Sequence, residues 1–513
     1  MRITYFDVGI ILLYLVGITF FGIRFRASQQ NLRDYFLGGR ATPWWALALS
    51  IVATETSTLT VIGTPALAFA GNLGFLQLVL GYLAGRVLIC LIFIPPYFRG
   101  EFYTAYQLIE KRFGPRMKSV AAGTFLLMRA LAEGVRVAAI GLVVSVAFGT
   151  GEVMSVVLIT ALTLLYTFEG GLKAVIWTDV LQLEIYISGA IAAVYILLSQ
   201  LPGGWAEVTA VAAATGKFRI FDFALSATQT YTFWAGLIGG MFLNMASHGT
   251  DQLMVQRLLA ARSERDSKLA LLASGVIVLA QFALFLVLGV MLYAYHQHEP
   301  LIALGQSNDR VFPEFVVRHM PPGFAGLVIA AIFAAAMSTT SGTLNALASS
   351  SIIDFYRLRH EQTDDAYFLR LSRRMTLVWG VVLLGLGLVR WGPLLEAGLT
   401  IASIVYGSLL GLFLLGILNS RATARGALAG MFVGLALMVY VAWGGKVVPW
   451  LGNALGSLGI SPGWTVYLLE GRVQKFFITL AWTWYVLVGT LATFAVGSLV
   501  SLLEKNATAD ERR

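Results

Sequence analysis

Apolar runs of about twenty residues, separated by short polar connections, recur along the whole chain, and that is the length an α-helix needs to cross the hydrocarbon of a bilayer. Lipid offers backbone groups no hydrogen bonds, so repeated runs of this kind fold as a helix bundle rather than as open sheet. About thirteen such segments are read here, centred near Leu13, Val61, Leu88, Gly134, Ile159, Gly189, Gly240, Ala280, Ile332, Leu383, Leu409, Leu435 and Leu487. With 58% of its 513 residues hydrophobic and 12% charged, the chain has the composition of a polytopic membrane protein. The expected fold class is all-α and integral to the membrane.

Basic connections stay in the cytoplasm. Arg24, Arg26, Arg33 and Arg40, then Arg99, Lys111, Arg112, Arg116 and Lys118, then Arg257, Arg262, Arg265 and Lys268, all fall on one side if the first helix enters from outside. The expected topology is a multi-pass cell-membrane protein with its amino terminus outside and its carboxyl terminus in the cytoplasm. The net charge of +9 then reads as topology and contact with anionic lipid rather than nucleic acid. Arg86, Arg129 and Arg136 lie within spans. The single cysteine, Cys90, allows no intramolecular disulfide. The first apolar stretch continues past Ile18 with no small-residue cleavage site, which reads as a retained helix.

Connections this short leave no room for an ATPase or a soluble catalytic domain, and there is no GxxxxGK[ST] loop or GxSxG elbow; no enzyme and no cofactor are expected. His296 and His298 lack a further Cys or His nearby and read as polar-loop residues.

The spans fall into a pattern. One helix (residues 1–41 with its inner loop) precedes a run of five (42–200); a second run of five (230–418) is followed by two more (419–513). Inverted repeats of five, each opening on a helix broken near the midplane, build many secondary transporters. The first helix of the first run carries "ATETSTLTVIG", Ala53 to Gly63, then Pro65; that of the second carries Gly236, Gly239, Gly240 and Asn244. Glycines in such helices also serve close packing, and Ser or Thr often bonds back to its own helix. A carboxylate at mid-bilayer is different: it costs about 2.5–3.5 kcal/mol on insertion scales, so Glu55 requires a partner, a proton or a water-lined cavity.

A second polar island, "AAAMSTTSGTLNALASSS", spans Ala334 to Ser351. On a helix Ser338, Ser341, Asn345 and Ser349 form one stripe, with Ala335 on the same face. Sodium, a small hard cation, takes neutral oxygens. Hydroxyls from one helix and carbonyls freed where another unwinds suit it, and half-helix ends add favourable dipoles.

Four motifs in order carry a resemblance: "DYFLGGR" (Asp34 to Arg40), "EGGLKAVIWTDVLQ" (Glu169 to Gln182), "GTDQLMVQRLLAARS" (Gly249 to Ser263) and "AAMSTTSGTLN" (Ala335 to Asn345). The chain resembles the sodium:solute symporter family over nearly its whole length. The resemblance implies a LeuT-type inverted repeat with one helix added in front and two behind. It implies sodium as the coupling ion, held by the carbonyls of Ala53, Thr56 and Ala335 and the hydroxyls of Ser338 and Thr339. Asp179 matches an acidic residue that in relatives influences sodium binding or release, or joins a second sodium site; Ser341 fits that site with Ser338, but Gly342 stands where another hydroxyl is expected. A carboxylate near a helix amino terminus is the plainer reading of Asp179.

The solute is expected beside the ion, near Glu55, Thr58, Thr60, Asn244, Ser247 and His248. No aromatic pair stands at Ser247 and His248 to stack on a sugar ring, which leans the reading toward a small organic acid or amino acid. Arg129, Glu133 and Arg136, three or four residues apart, read as a structural ion network. Two other classes stay open: a proton-coupled carrier titrating Glu55 or Asp179, and a membrane sensor or channel. Oligomeric state is not legible.

Overall fold

A computed structural model of the protein describes residues 3–24, 36–100, 102–356, 365–389, 391–456 and 479–510. Asp34 and Tyr35 of the first motif lie outside the described residues, as do the side chains of Glu169 to Gly171. Among the described residues the regular elements are helices, with one isolated bridge between Thr42 and Ala261.

The helices used below are α1 (Tyr5–Ile23), α2 (Trp44–Glu55), α3 (Thr64–Ala70), α4 (Leu76–Ile92), α5 (Tyr106–Phe113), α6 (Pro115–Phe148), α7 (Glu152–Gln200), α8 (Gly204–Thr215), α9 (Gly240–Gly249), α10 (Gln252–Leu259), α11 (Glu264–His296), α12 (Val311–His319), α13 (Phe324–Ser350), α14 (Asp365–Gly387), α15 (Leu394–Leu418), α16 (Ala424–Gly456) and α17 (Tyr485–Asp510). Nine helices among the described residues are long and apolar enough to cross a membrane, and the bent pair Trp44–Glu55 and Leu59–Ala70 makes a tenth. The other three centres read from the sequence, Ile159, Gly240 and Leu383, fall in α7, α9 and α14. The first of these is not a separate helix: α7 runs unbroken through 49 residues. It contains no proline, and a Gly-Gly pair alone does not end a helix.

α13 is the axis of the bundle. Its best apolar window is 89% buried, against 28% for α1, so α13 is wrapped by protein and α1 faces outward. α1 is pinned to it by Asp7, whose Oδ1 accepts the Gly323 and Gly326 amides at 2.7 Å each, serving the free N–H groups at the start of α13.

The polar stretch at Ala53 to Gly63 breaks its helix as expected. Thr56 N–H is the last to donate back, to Val52 O at 2.9 Å, and the next ladder starts when Thr60 and Val61 donate to Ser57 O. A π-helical turn, Leu59–Gly63, leads into α3, which has Pro65 in its first turn. The two halves meet at 61°.

The second break is displaced from the glycines that were expected to make it. Gly236 and Gly239 lie in a π-helical turn (Ala235–Gly239) and Gly240 opens α9; the chain leaves helical geometry only at Thr250 and Asp251. The glycines serve packing instead. A Cβ on Gly236 would lie 2.6 Å from Gln77 C, and one on Gly240 would lie 2.4 Å from Leu78 O, so their absence lets α4 lie against this segment. Asp251 makes the break by capping α10, its Oδ1 accepting the Leu253 amide at 2.9 Å.

Candidate ion and solute site

Both polar islands are turned into protein. Ala53, Thr54, Thr56, Ser57, Thr58 and Thr60 are buried, as are Ala335, Ser338, Thr339 and Ser341, which removes the lipid penalty that made them anomalous in sequence. The islands also touch. Thr339 Oγ1 lies 3.4 Å from Thr54 O at the end of α2 and 3.2 Å from Ala335 O on its own helix. The neighbouring Ser338 hydroxyl donates to Asp179 Oδ1 at 2.6 Å. Ser341 turns back onto Ser338 O at 3.0 Å instead of reaching Asp179. Thr56 Oγ1 accepts from Gln281 of α11. Hydroxyl and carbonyl oxygens from two helices thus converge at the break, a donor set that suits a hard monovalent cation.

Asp179 is not free to serve as an open ligand. Its Oδ2 accepts from Ser50 at 2.6 Å and from Arg257 Nη2 at 3.0 Å. Arg257 also donates to Ser50 Oγ at 3.0 Å and to Leu253 O at 2.8 Å. The guanidinium fits because position 342 is glycine: a Cβ there would stand 2.8 Å from Arg257 Nη2 and 3.0 Å from Leu253 Cδ1.

Glu55 finds the partner its position demands. It pairs with Arg86 of α4, and His248 Nε2 stands 3.4 Å from the same oxygen. Arg86 is held in turn by Ser274 Oγ at 3.3 Å. His248 Nδ1 lies 3.1 Å from Asn244 Nδ2 and 2.8 Å from Ser247 Oγ; with the amide donating, Nδ1 accepts and the ring proton sits on Nε2, facing Glu55.

Beside this cluster lies a cavity of about 100 Å³. Glu55, Thr60, Ser247 and His248 line it together with Arg129 and Arg136, while Thr58 and Asn244 do not. Thr58 Oγ1 and Asn244 Oδ1 are buried and have no hydrogen-bond partner among the described residues. The network read from the spacing of Arg129, Glu133 and Arg136 divides. Arg129 leaves it for Asp251 at 2.7 Å, which Tyr406 also supports at 2.5 Å. Glu133 takes Thr340 and Thr343 at 2.7 and 3.0 Å, and Arg136 only at 3.3 Å. Of these four arginines, Arg136 is the least enclosed, its side chain 21% exposed against 5% or less for the others.

The sequence places Arg86 in a span without showing its partner, and neither Asp251 nor Gln281 stands out in it. The rule that intramembrane charges pair points to Arg86 once Glu55 is noticed. Nothing local marks Gln281.

Comparison with known proteins identifies the machinery. The sodium:solute symporter family model matches residues 35–434. The chain belongs to the sodium:solute symporter family. Among relatives of this symporter, the sodium/sialic acid symporter SiaT of Proteus mirabilis is 29% identical over 462 residues, covering 87% of this chain and 91% of that one. Sodium-coupled monocarboxylate transporter 1 of Mus musculus is 31% identical over 430 residues, covering 82% and 70%. The Homo sapiens sodium/iodide cotransporter is 29% identical over 462 residues, covering 86% and 70%. A solved substrate-bound, outward-open Na+-coupled sialic acid symporter superposes with a TM-score of 0.84 at 27% identity, covering 98% of each chain. MhsT in complex with L-phenylalanine, at 15% identity and a TM-score of 0.51 over 89% of this chain and 98% of that one, shares the fold. The symporter is thus an all-helical membrane protein of the LeuT type that couples sodium to transport of a small solute; the family is one of transporters, not enzymes.

Proposed function

We propose that the protein takes up a small organic acid together with sodium by alternating access. The residues at the break of α2 and on α13 bind the ion: the carbonyls of Ala53, Thr56 and Ala335 and the hydroxyls of Ser338 and Thr339. The observation that carries this is the contact of Thr339 with Thr54 O and Ala335 O, which joins the two helices where their oxygens converge. An ion here favours the arrangement in which α2 and α13 are together, and so couples its binding to the solute cavity alongside. A sodium ion moving inward through 100 mV contributes about 2.3 kcal/mol.

The solute reading rests on Arg136, the least enclosed cation on the cavity wall, because Glu133 is already met by two hydroxyls. A carboxylate suits a guanidinium bidentately, and the names of two relatives, for sialic acid and monocarboxylates, indicate acids. Sodium is favoured over protons because Arg86 and Arg257 already meet the charges of Glu55 and Asp179; neither needs a proton to reside in the interior. In this reading residues 42–200 and 230–418 are the two repeats, flanked by 1–41 and 419–513, with the amino terminus outside and the carboxyl terminus in the cytoplasm.

The test is uptake into proteoliposomes of a panel of small carboxylates, amino acids and sugars under inward sodium or potassium gradients, with Thr339→Val as the site variant. Sodium-driven accumulation of an acid, lost in the variant, is expected. Accumulation that follows a pH gradient and ignores sodium would sink the proposal.

A further inference from the structure

Lys217 is a buried lysine, 4% exposed, with no carboxylate paired to it among the described residues. Its ammonium instead spans the carboxyl end of the outer half-helix α3, 2.7 Å from Phe69 O, 3.0 Å from Gly71 O and 3.4 Å from Ala68 O. It also sits 3.8 Å from the centre of the Tyr293 ring on α11. The last carbonyls of a helix have no partner within it and carry the negative end of its dipole. A cation supplied from elsewhere in the chain answers both, and the ring face adds to the attraction.

The lysine is presented by a rigid device. α8 ends in the left-handed Gly216, at φ +69°, and the Lys217 amide returns to Ala212 O at 2.9 Å, a glycine-dependent helix stop. Beyond Lys217 the chain is tied across neighbouring elements. The Asp222 amide donates to Gln77 Oε1 of α4 at 2.9 Å, and Ala227 O accepts the Ala481 amide at 2.8 Å, just before α17. One strap therefore links the second half of the broken helix to parts of the bundle that flank it.

We propose that Lys217 is a positioning residue of the transport cycle: its ammonium clasps α3 against α11, and the clasp is let go when the outer half of the broken helix swings. The inference extends the sodium-coupled reading in treating α3 as a moving part, and needs no solute to test. Phe69 of α3 packs edge-on against Tyr293 and His296, so the apolar contact and the clasp open together. α3 itself carries no titratable side chain. On α11 the facing groups are Tyr293 and His296, and on the strap Arg219 and Asp222 pair with each other at 3.2 Å.

Lys217→Met is expected to release α3, whereas Lys217→Arg, which stays charged, keeps it clasped.

Hydrogen–deuterium exchange on the full chain in nanodiscs, with sodium chloride or potassium chloride and no solute, reads this directly for residues 64–75. At pH 7 protection should be about tenfold lower in Lys217→Met than in the wild type. Lys217→Arg should keep the wild-type value. If Lys217→Met matches wild type over residues 64–75, or if protection falls equally in α13 and α15, Lys217 is not a local clasp and the proposal is overturned. Failure of sodium-driven uptake would leave this exchange pattern untouched, so the two readings fail separately.

Discussion

The Arg257 guanidinium lies 3.0 Å from the Asp179 carboxylate, in space that exists because residue 342 has no side chain. Two fully buried charges are tolerable only as a pair: deleting one partner leaves an uncompensated charge, at about 3–5 kcal/mol, whereas deleting both can be neutral. Asp179→Asn and Arg257→Gln should each lower thermal stability in detergent by far more than the double variant. Strict additivity in that cycle would mean the pair is not an interacting unit.

Gly342→Ala is a second, independent probe. The added methyl would stand 2.8 Å from Arg257 Nη2, and crowding of this kind costs about 1–3 kcal/mol. Because Ser338 shares Asp179 with Arg257, the shift should also raise the sodium concentration needed for half-maximal uptake. An unchanged sodium response would detach Ser338 from the Arg257 pair.

Glu55 and Arg86 invite the same comparison with a functional readout. Glu55 and His248 line the cavity, and His248 stands by the same carboxylate oxygen that Arg86 pairs with. Glu55→Gln strands Arg86 in the interior and should abolish uptake or expression. Glu55→Gln combined with Arg86→Gln should recover surface expression, with solute affinity still reduced because the cavity wall has changed. Wild-type expression of Glu55→Gln alone would show that Arg86 has another partner.

How far the sequence carried this reading depended on the range of the physics. Spans declare themselves locally, since about twenty apolar residues suffice, and the break at Ala53 to Gly63 did so too, because hydroxyls, glycine and proline cluster within one helix. The meeting of Thr339 with Thr54 O was legible only through two polar islands that each lacked a reason to face lipid. Pairings across the bundle were not legible: Arg129 has Glu133 four residues away yet bonds Asp251, 122 residues on, and spacing along one helix cannot see that competition. The glycines at 236, 239 and 240 misled for a related reason. Glycine permits both a broken helix and a close approach, and only the neighbour, here Gln77 and Leu78 of α4, decides between them.

Gly81 on α4 gives the sharpest test of that close approach. A Cβ there would lie 2.4 Å from Gly236 O and 2.7 Å from Leu237 O, backbone atoms that cannot rotate aside. Gly81→Ala must therefore separate α4 from the π-helical turn that leads into α9, and α9 carries Asn244, Ser247 and His248. Arg86 lies on the displaced helix and Glu55 on a third, so the three-way contact of Glu55, Arg86 and His248 should loosen together. The expected result is correctly inserted protein whose solute affinity falls more than its sodium affinity, since among the described residues Thr54 and Thr339 hydrogen-bond to other helices than α4. Measuring half-saturation for both in the same proteoliposomes separates the outcomes: an equal loss for ion and solute would mean that α4 supports the whole bundle rather than the solute side of it.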